Sequence, residues 1–182
     1  MLYAVGVIEI RSIAKGIEAC DDALKSANIR LVSAHPSCPG KYEMILTGPL
    51  SDVQTSLERV RDTYGRYVID AVLMGRIDET VVRALLGGQN AKAEGALGVI
   101  ETFSASSAIK AADTAVKTSK VEIYDLRVSR GMGGKAFVLM TGTVADVTAA
   151  VDAASETVST GGLLAAKTVI PSPHPDMIKY LY

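Results

Sequence analysis

The sequence predicts two tandem α/β (α+β) domains, each an antiparallel sheet with helices on one face. This prediction is based on an internal repeat. Residues 4–9, Ala-Val-Gly-Val-Ile-Glu, return at 96–101 as Ala-Leu-Gly-Val-Ile-Glu, a shift of 92. Eleven of 28 positions are identical between 4–31 and 96–123, and after a two-residue slip 40–48 matches 134–142. Copies of about 90 residues are each long enough to form a domain. We expect domains at 1–87 and 96–182, joined by a linker at 88–95.

Each copy follows the order β-α-β-β-α-β, which is the split βαβ (ferredoxin-like) plan. An apolar run predicts the first strand, and Ser12 or Ser104 then stands where a helix N-cap belongs. The first helix of copy one carries an apolar stripe at helical spacing, which we interpret as its buried face, with Cys20 a core thiol: Ile13, Ile17, Cys20 and Leu24. The remaining strands are expected at 29–34, 42–46 and 68–74, and in copy two at 121–128, 137–140 and 163–170.

Composition excludes several classes of function. The net charge is −1 and like charges do not cluster, which argues against a nucleic-acid or anionic-membrane surface. No apolar run approaches the ~20 residues of a spanning helix, and the N-terminus lacks the features of a signal peptide. Two cysteines, both in the first half, give no disulfide framework shared by the copies. We therefore expect a cytoplasmic protein.

Candidate catalytic motifs are weak. The stretch 129–136, Ser-Arg-Gly-Met-Gly-Gly-Lys-Ala, lacks the first glycine and the final Ser or Thr of a phosphate-binding P-loop, and it leads into a strand. Two other interpretations are open: the stretch forms a strand-to-strand turn, or its glycines let backbones approach closely around a symmetry axis. His35 and Cys38 have metal-ligand spacing, but two ligands do not close a tetrahedral site unless an oligomer multiplies them. Glu9 and Glu101 recur in both copies, which favours a role in the fold or in a repeated interface. We expect no enzyme activity.

The repeated motifs resemble those of a known family. The opening Ala-Val-Gly-Val-Ile-Glu, the segment Ser-Ile-Ala-Lys-Gly-Ile-Glu-Ala, the Gly-Lys pairs and the late Val-Ile-Pro-Ser-Pro-His are similar to bacterial microcompartment shell domains. Both copies match in unpermuted order over essentially the whole chain. The chain thus resembles the tandem-domain shell proteins.

The resemblance implies a homotrimer that forms a pseudohexameric tile with a central pore. Such tiles pack edge to edge with other shell proteins around encapsulated enzymes in the cytoplasm, and small metabolites cross the pore. The edge contacts that it implies are Lys25, Lys117, Arg76, Pro171, Pro173 and His174. The pore-lining residues that it implies are His35, Pro36, Ser37, Cys38, Pro39, Gly40, Lys41, Ser129, Arg130, Gly131, Met132, Gly133, Gly134, Lys135 and Ala136.

The chain departs from the family at one pore position. In the propanediol-compartment members a cysteine follows the Gly-Gly-Lys of copy two and holds an iron–sulfur cluster on the threefold axis, whereas here the residue is Ala136. Alanine offers no thiolate, so we expect no cluster, no other cofactor and no metal. Lys41, Lys135 and Arg130 would favour anions if they point into the pore.

Two other functions stay open at this stage. Split βαβ domains also occur in trimeric regulatory proteins that bind metabolites between subunits, so a metabolite sensor is the main alternative. An enzyme on the same fold is the third hypothesis, because fold alone does not decide function.

Overall fold

The computed structural model describes residues 4–87, 94–128 and 131–181. The chain divides into two compact units, of which the first holds residues up to 79 together with 131–134, and the second holds the rest. Most of the expected linker, residues 88–93, lies outside the described residues.

The first unit contains β1 (Ala4–Ile10), α1 (Ile13–Ser26), β2 (Arg30–Ser37), β3 (Lys41–Gly48), α2 (Leu50–Tyr64) and β4 (Val68–Met74). A further helix, α3 (Glu79–Leu85), follows. The four strands form one antiparallel sheet in the order β2-β3-β1-β4.

The second unit repeats this plan with β5 (Ala96–Thr102), α4 (Ala105–Thr118), β6 (Glu122–Val128), β7 (Ala136–Gly142), α5 (Val144–Ser159), β8 (Leu164–Ile170) and α6 (Pro175–Ile178). Its antiparallel sheet has the order β6-β7-β5-β8. The predicted fold class is confirmed.

The two helix starts in the repeat are set by serine caps. Ser12 Oγ accepts a hydrogen bond from Lys15 N at 3.4 Å, and Ser104 Oγ accepts one from Ser107 N at 3.2 Å. Each cap satisfies one of the backbone N–H groups that a helix start leaves without a partner. The predicted N-caps are therefore confirmed in both copies.

Glycine in the first strand of each copy allows the second helix to pack closely on the sheet. A Cβ at Gly6 would lie 2.9 Å from a Val53 methyl, and one at Gly98 would lie 2.8 Å from Val147 and Val151 methyls. Because side chains alternate along a strand, the neighbours of these glycines point to the opposite face of the sheet. Both faces of β1 are buried.

The buried face of α1 is not the predicted stripe. Its buried residues are Gly16, Ala19, Cys20 and Ala23, while Ile13, Ile17 and Leu24 are exposed. Of the predicted stripe only Cys20 faces the core, where burial raises the pKa of its thiol and keeps it unreactive. The helix lies so close to β3 that small residues must form its inner face.

Gly16 marks the closest approach of α1 to the sheet. A Cβ built there would lie 2.2 Å from Tyr42 Cβ, a separation that real carbon atoms do not adopt. At the matching positions the second unit has Ala108 and Ala136, so the helix gains a methyl group and the strand loses an aromatic ring. The packing of the first helix against the sheet therefore differs between the copies, and Ala136 is one of the residues that make the difference.

We predict that Gly16→Ala lowers the free energy of unfolding by about 1–3 kcal/mol, because Tyr42 Cβ is fixed to the backbone and cannot rotate away. Gly65→Ala is the matched control, since a Cβ at Gly65 would meet nothing within 4 Å. Denaturant unfolding followed by circular dichroism measures both. Equal stability of the two variants would contradict the close approach.

Candidate functional site

The predicted pore residues of the first copy lie where β2 turns into β3. His35, Pro36 and Ser37 end β2 rather than standing in the turn, which contains only Cys38, Pro39 and Gly40 before Lys41 begins β3. Gly40 has φ 86°, so this position needs glycine. Cys38 is a half-buried free thiol.

The corresponding connection of the second copy is two residues longer. Pro36 pairs with Tyr42 across the first turn, whereas Val128 pairs with Ala136 across the second. Ser129 and Arg130 lie outside the described residues, so the expectation for Arg130 stays untested. The other predicted pore residues of this connection follow as Gly131, Met132, Gly133, Gly134, Lys135 and Ala136, the last beginning β7.

Glycines of the second connection have backbone conformations that other residues rarely adopt. Gly131, Gly133 and Gly134 all have positive φ, and residues 131–134 group with the first unit. A Cβ at Gly134 would lie 3.4 Å from the carbonyl oxygen of Cys38 and 3.7 Å from Lys41 Nζ. These are ordinary van der Waals distances, and a Cβ at Gly131 or Gly133 would meet nothing within 4 Å, so it is the positive φ that favours glycine in this connection. Crowding of backbones around a symmetry axis stays a prediction.

A lysine–glutamate pair anchors the same loop position in each copy. Lys41 Nζ lies 2.8 Å from Glu9 Oε2, and Lys135 Nζ lies 3.0 Å from Glu101 Oε1. The first pair is buried, since the Glu9 side chain is 2% exposed, whereas the second is 36–44% exposed. These pairs explain why the glutamates recur in the repeat, and they offset the positive charge that the two lysines would otherwise contribute.

A row of titratable side chains crosses the sheet of the first unit on the face opposite its helices. Strand register aligns His35, Glu43, Glu9 and Asp70 on neighbouring strands. Glu43 is fully buried, and its Oε1 lies 4.0 Å from His35 Nε2. Sequence reasoning missed Glu43 and Asp70, because their alignment depends on strand register.

The matching row of the second unit is different in chemistry. Register aligns Arg127, Phe137, Glu101 and Ala166, so an aromatic ring replaces Glu43 and alanine replaces Asp70. The Arg127 guanidinium lies 5.9 Å from the centre of the Phe137 ring and pairs with Asp125 at 2.6 Å. The positive charge of Arg127 is thus compensated by Asp125 of the same unit.

The two units leave opposite surfaces open. Ile17 on α1 is 55% exposed, whereas Ile109, the same residue at the matching position of α4, is fully buried. The sheets differ in the opposite sense. In the first unit the face of β1 opposite the helices is buried, whereas the same face of the second unit's sheet forms a groove of about 460 Å³. The groove is lined by the charged side chains of Glu101 and Arg127 and by a larger set of apolar and aromatic ones, namely Leu97, Val99, Phe137, Leu139, Ile170, Met177, Tyr180 and Leu181.

The predicted edge residues lie at the ends of elements. Lys25 and Lys117 occupy the last turns of α1 and α4, where they pair with Asp21 and Asp113 one turn earlier. Arg76 follows β4 with φ 56°, a conformation uncommon outside glycine. After β8 come Pro171 and Pro173, and then His174, whose Nδ1 caps the short helix α6 by accepting from Asp176 N at 3.2 Å.

Two searches of the described residues were negative. Within 4–87, 94–128 and 131–181, no three His, Cys, Asp or Glu side chains form a group able to hold a metal ion. Over those same ranges, every helix is too short or too polar to cross a lipid bilayer.

Comparison with known proteins identifies the repeated unit. The BMC domain family matches residues 4–77 and again 96–173. The chain belongs to the BMC-domain family. It is 38% identical to the bacterial microcompartment shell protein PduT of Citrobacter freundii, over 97% of this chain and 96% of the relative.

Two further comparisons find similarity to microcompartment proteins. The shell protein PduA of Salmonella typhimurium is 37% identical over 87 residues, which are 47% of this chain and 89% of PduA. The crystal structure of a microcompartment protein from Desulfitobacterium hafniense is similar with a TM-score of 0.93 and 40% identity, covering 98% of this chain and 99% of that one.

The lysine–glutamate pairs of the two BMC domains are expected to differ in strength. Lys41→Met leaves the buried Glu9 carboxylate without its cation, which costs about 3–5 kcal/mol of unfolding free energy. Lys135→Met removes a half-exposed pair, worth about 1 kcal/mol or less. Denaturant unfolding of the two variants is a matched comparison, and losses of similar size would contradict the difference in burial.

Proposed function

We propose that this chain is a structural facet protein of a bacterial microcompartment shell in the cytoplasm. Three copies form a pseudohexameric tile that joins other shell proteins edge to edge around encapsulated enzymes. Its tandem BMC domains and its similarity to microcompartment shell proteins along nearly its whole length support this role. The proposed role is structural rather than enzymatic.

The complementary open surfaces of the two units support a closed ring. Pairing the exposed helix face of the first unit of one chain with the open sheet groove of the second unit of another would be a head-to-tail contact. Head-to-tail contacts generate a ring when the rotation closes. Three chains supply six similar units, so the ring is a pseudohexamer.

The β2–β3 and β6–β7 connections would surround the central pore of this ring. Three copies of each connection give threefold symmetry, since the second is two residues longer. We propose passage of small metabolites through this opening, with polar groups of the connections acting on the solutes. Lys41 and Lys135 contribute little net charge there, because each is paired with a glutamate.

The parent protein is expected to run as a trimer in light scattering and to form sheets or tubes under electron microscopy. Lys25→Ala combined with Lys117→Ala should abolish the sheets and leave the trimers intact, since the resemblance to shell domains implies that both lysines, in the last turns of α1 and α4, contact neighbouring tiles. Lys15→Ala with Lys110→Ala is a control with the same loss of charge. A monomeric parent, or sheets that survive the Lys25 and Lys117 changes, would contradict the proposal.

We also propose that the tile binds no iron–sulfur cluster. Ala136 is fully buried and has no thiolate, and Cys38 is the one thiol in the sequence of the two connections. After anaerobic reconstitution, iron quantitation and visible absorbance should match those of Cys38→Ala. One cluster for every three chains in the parent would refute this.

A further inference from the structure

One side of the groove in the second unit is made by the C-terminal segment, residues 171–181. The strands supply the floor of the groove. The segment leaves the sheet where β8 ends, contains the short helix α6, and contributes Met177, Tyr180 and Leu181 to the groove lining. The groove therefore has a side wall that is not itself part of the sheet.

Local hydrogen bonds shape the C-terminal segment. Ile178 N donates to His174 O at 3.3 Å, and Leu181 N donates to Ile178 O at 3.2 Å. Its contact with the sheet is apolar, because Leu181 packs against a buried cluster that consists of Leu97, Tyr124 and Leu139. Apolar contacts are not directional. A wall held in this way can shift over the groove without breaking the hydrogen bonds between strands.

The C-terminal segment presents apolar surface that the single chain leaves in water. Tyr180 is 85% exposed and Met177 is 37% exposed, although both line the groove. None of the four residues of α6 is buried. A tyrosine gains most when its ring is covered and its hydroxyl stays at the water boundary. The segment would therefore gain apolar burial from an occupant of the groove.

The exposed stripe of α1 has the dimensions of such an occupant. Ile13, Ile17 and Leu24 are each at least 39% exposed. They span about 16 Å along the helix axis. The groove floor from Leu97 to Glu101 spans about 13 Å along its strand. An exposed apolar stripe and an open groove of similar length in one chain point to a second copy of the chain as the partner.

Charge does not oppose this contact. Lys15 beside the stripe pairs with Glu18, and Arg127 in the groove pairs with Asp125, both at 2.6 Å. The other charge that lines the groove, Glu101, pairs with a lysine of its own unit at 3.0 Å. Because each of these charges keeps a partner within its own chain, docking requires no ion pair between chains.

We propose that the C-terminal segment is a clasp that closes over α1 of a second copy of this chain, docked in the groove. Leu181 anchors the clasp to its own sheet, while Tyr180 and Met177 cover the docked helix. The inference rests on the proposed ring and adds the residues that retain each subunit in it. Because the clasp covers the helix once it is docked, it acts mainly on the rate of dissociation.

A single tryptophan can report the surroundings of position 180, because the chain itself contains none. In full-length Tyr180→Trp protein, the emission should shift to shorter wavelength, and quenching by acrylamide should fall, as rising concentration converts monomers to trimers. Phe103→Trp is the matched control, since Phe103 is 51% exposed and lies outside the groove lining. Its emission should stay the same. Equal shifts in the two variants, or no shift in a trimeric Tyr180→Trp protein, would overturn the clasp.

Subunit exchange between labelled trimers measures what the clasp contributes. Tyr180→Ser should speed exchange by about 30-fold, as expected for loss of an aromatic anchor at an interface. Tyr180→Phe keeps the ring and should exchange at the parent rate, and so should Phe103→Ser, which removes an exposed aromatic ring elsewhere. Circular dichroism verifies folding. Exchange at the parent rate in Tyr180→Ser would contradict the clasp.

Ile17→Glu tests the occupant of the groove. Ile17 is 55% exposed, so the fold tolerates charge there. Combined with Tyr180→Trp, it should give a monomer in analytical ultracentrifugation whose tryptophan stays in water. A trimer with a protected tryptophan would mean that α1 is not the occupant, and would overturn the proposal. A trimeric Tyr180→Trp protein with an exposed tryptophan overturns the clasp and preserves the ring, whereas a monomeric parent overturns the ring itself.

Discussion

The need to cover both faces of a four-stranded sheet governs this molecule. Helices cover one face in each unit, and apolar side chains on the other face require a second layer. In the first unit this second face is buried, down to the carboxylates of Glu9 and Glu43. In the second unit it remains a groove. The second layer over this face is therefore complete in the first unit and open in the second.

The general plan could be predicted from the sequence because it depends on local pattern. A repeat of about 90 residues, strand and helix periodicity and the serines at positions 12 and 104 led to two split βαβ units, and the structure has them. Hydrophobic periodicity does not distinguish a face that packs inward from one that packs on another chain. The sequence therefore predicts that the stripe Ile13, Ile17 and Leu24 faces the core. In the structure the buried face of α1 consists of Gly16, Ala19, Cys20 and Ala23 instead.

The site was predicted less completely, because its partners are distant in sequence. The repeat drew attention to Glu9 and Glu101, but it could not show that lysines 32 and 34 residues later are their partners. Nor could it show that Glu43 lies between Glu9 and His35, since that depends on strand register. The replacement of Glu43 by phenylalanine was visible in the aligned copies. Its meaning required knowing which face of the strand it occupies.

Duplication explains how such a molecule can differ from a ring of six identical subunits. A single-domain ring must use one surface pair six times, so a change in that pair affects every contact. With two copies the pairs can diverge, provided that each helix still fits the sheet it meets. The copies have diverged at corresponding positions: α1 begins with Ile13, Ala14 and Lys15 where α4 has Ala105, Ser106 and Ser107, and Glu43 of the first sheet corresponds to Phe137 of the second. The two connections have diverged as well, because the second is two residues longer and three of its described glycines have positive φ, where the first connection has Gly40. A chain with two linked copies can thus keep one fold in both units while their surfaces vary separately.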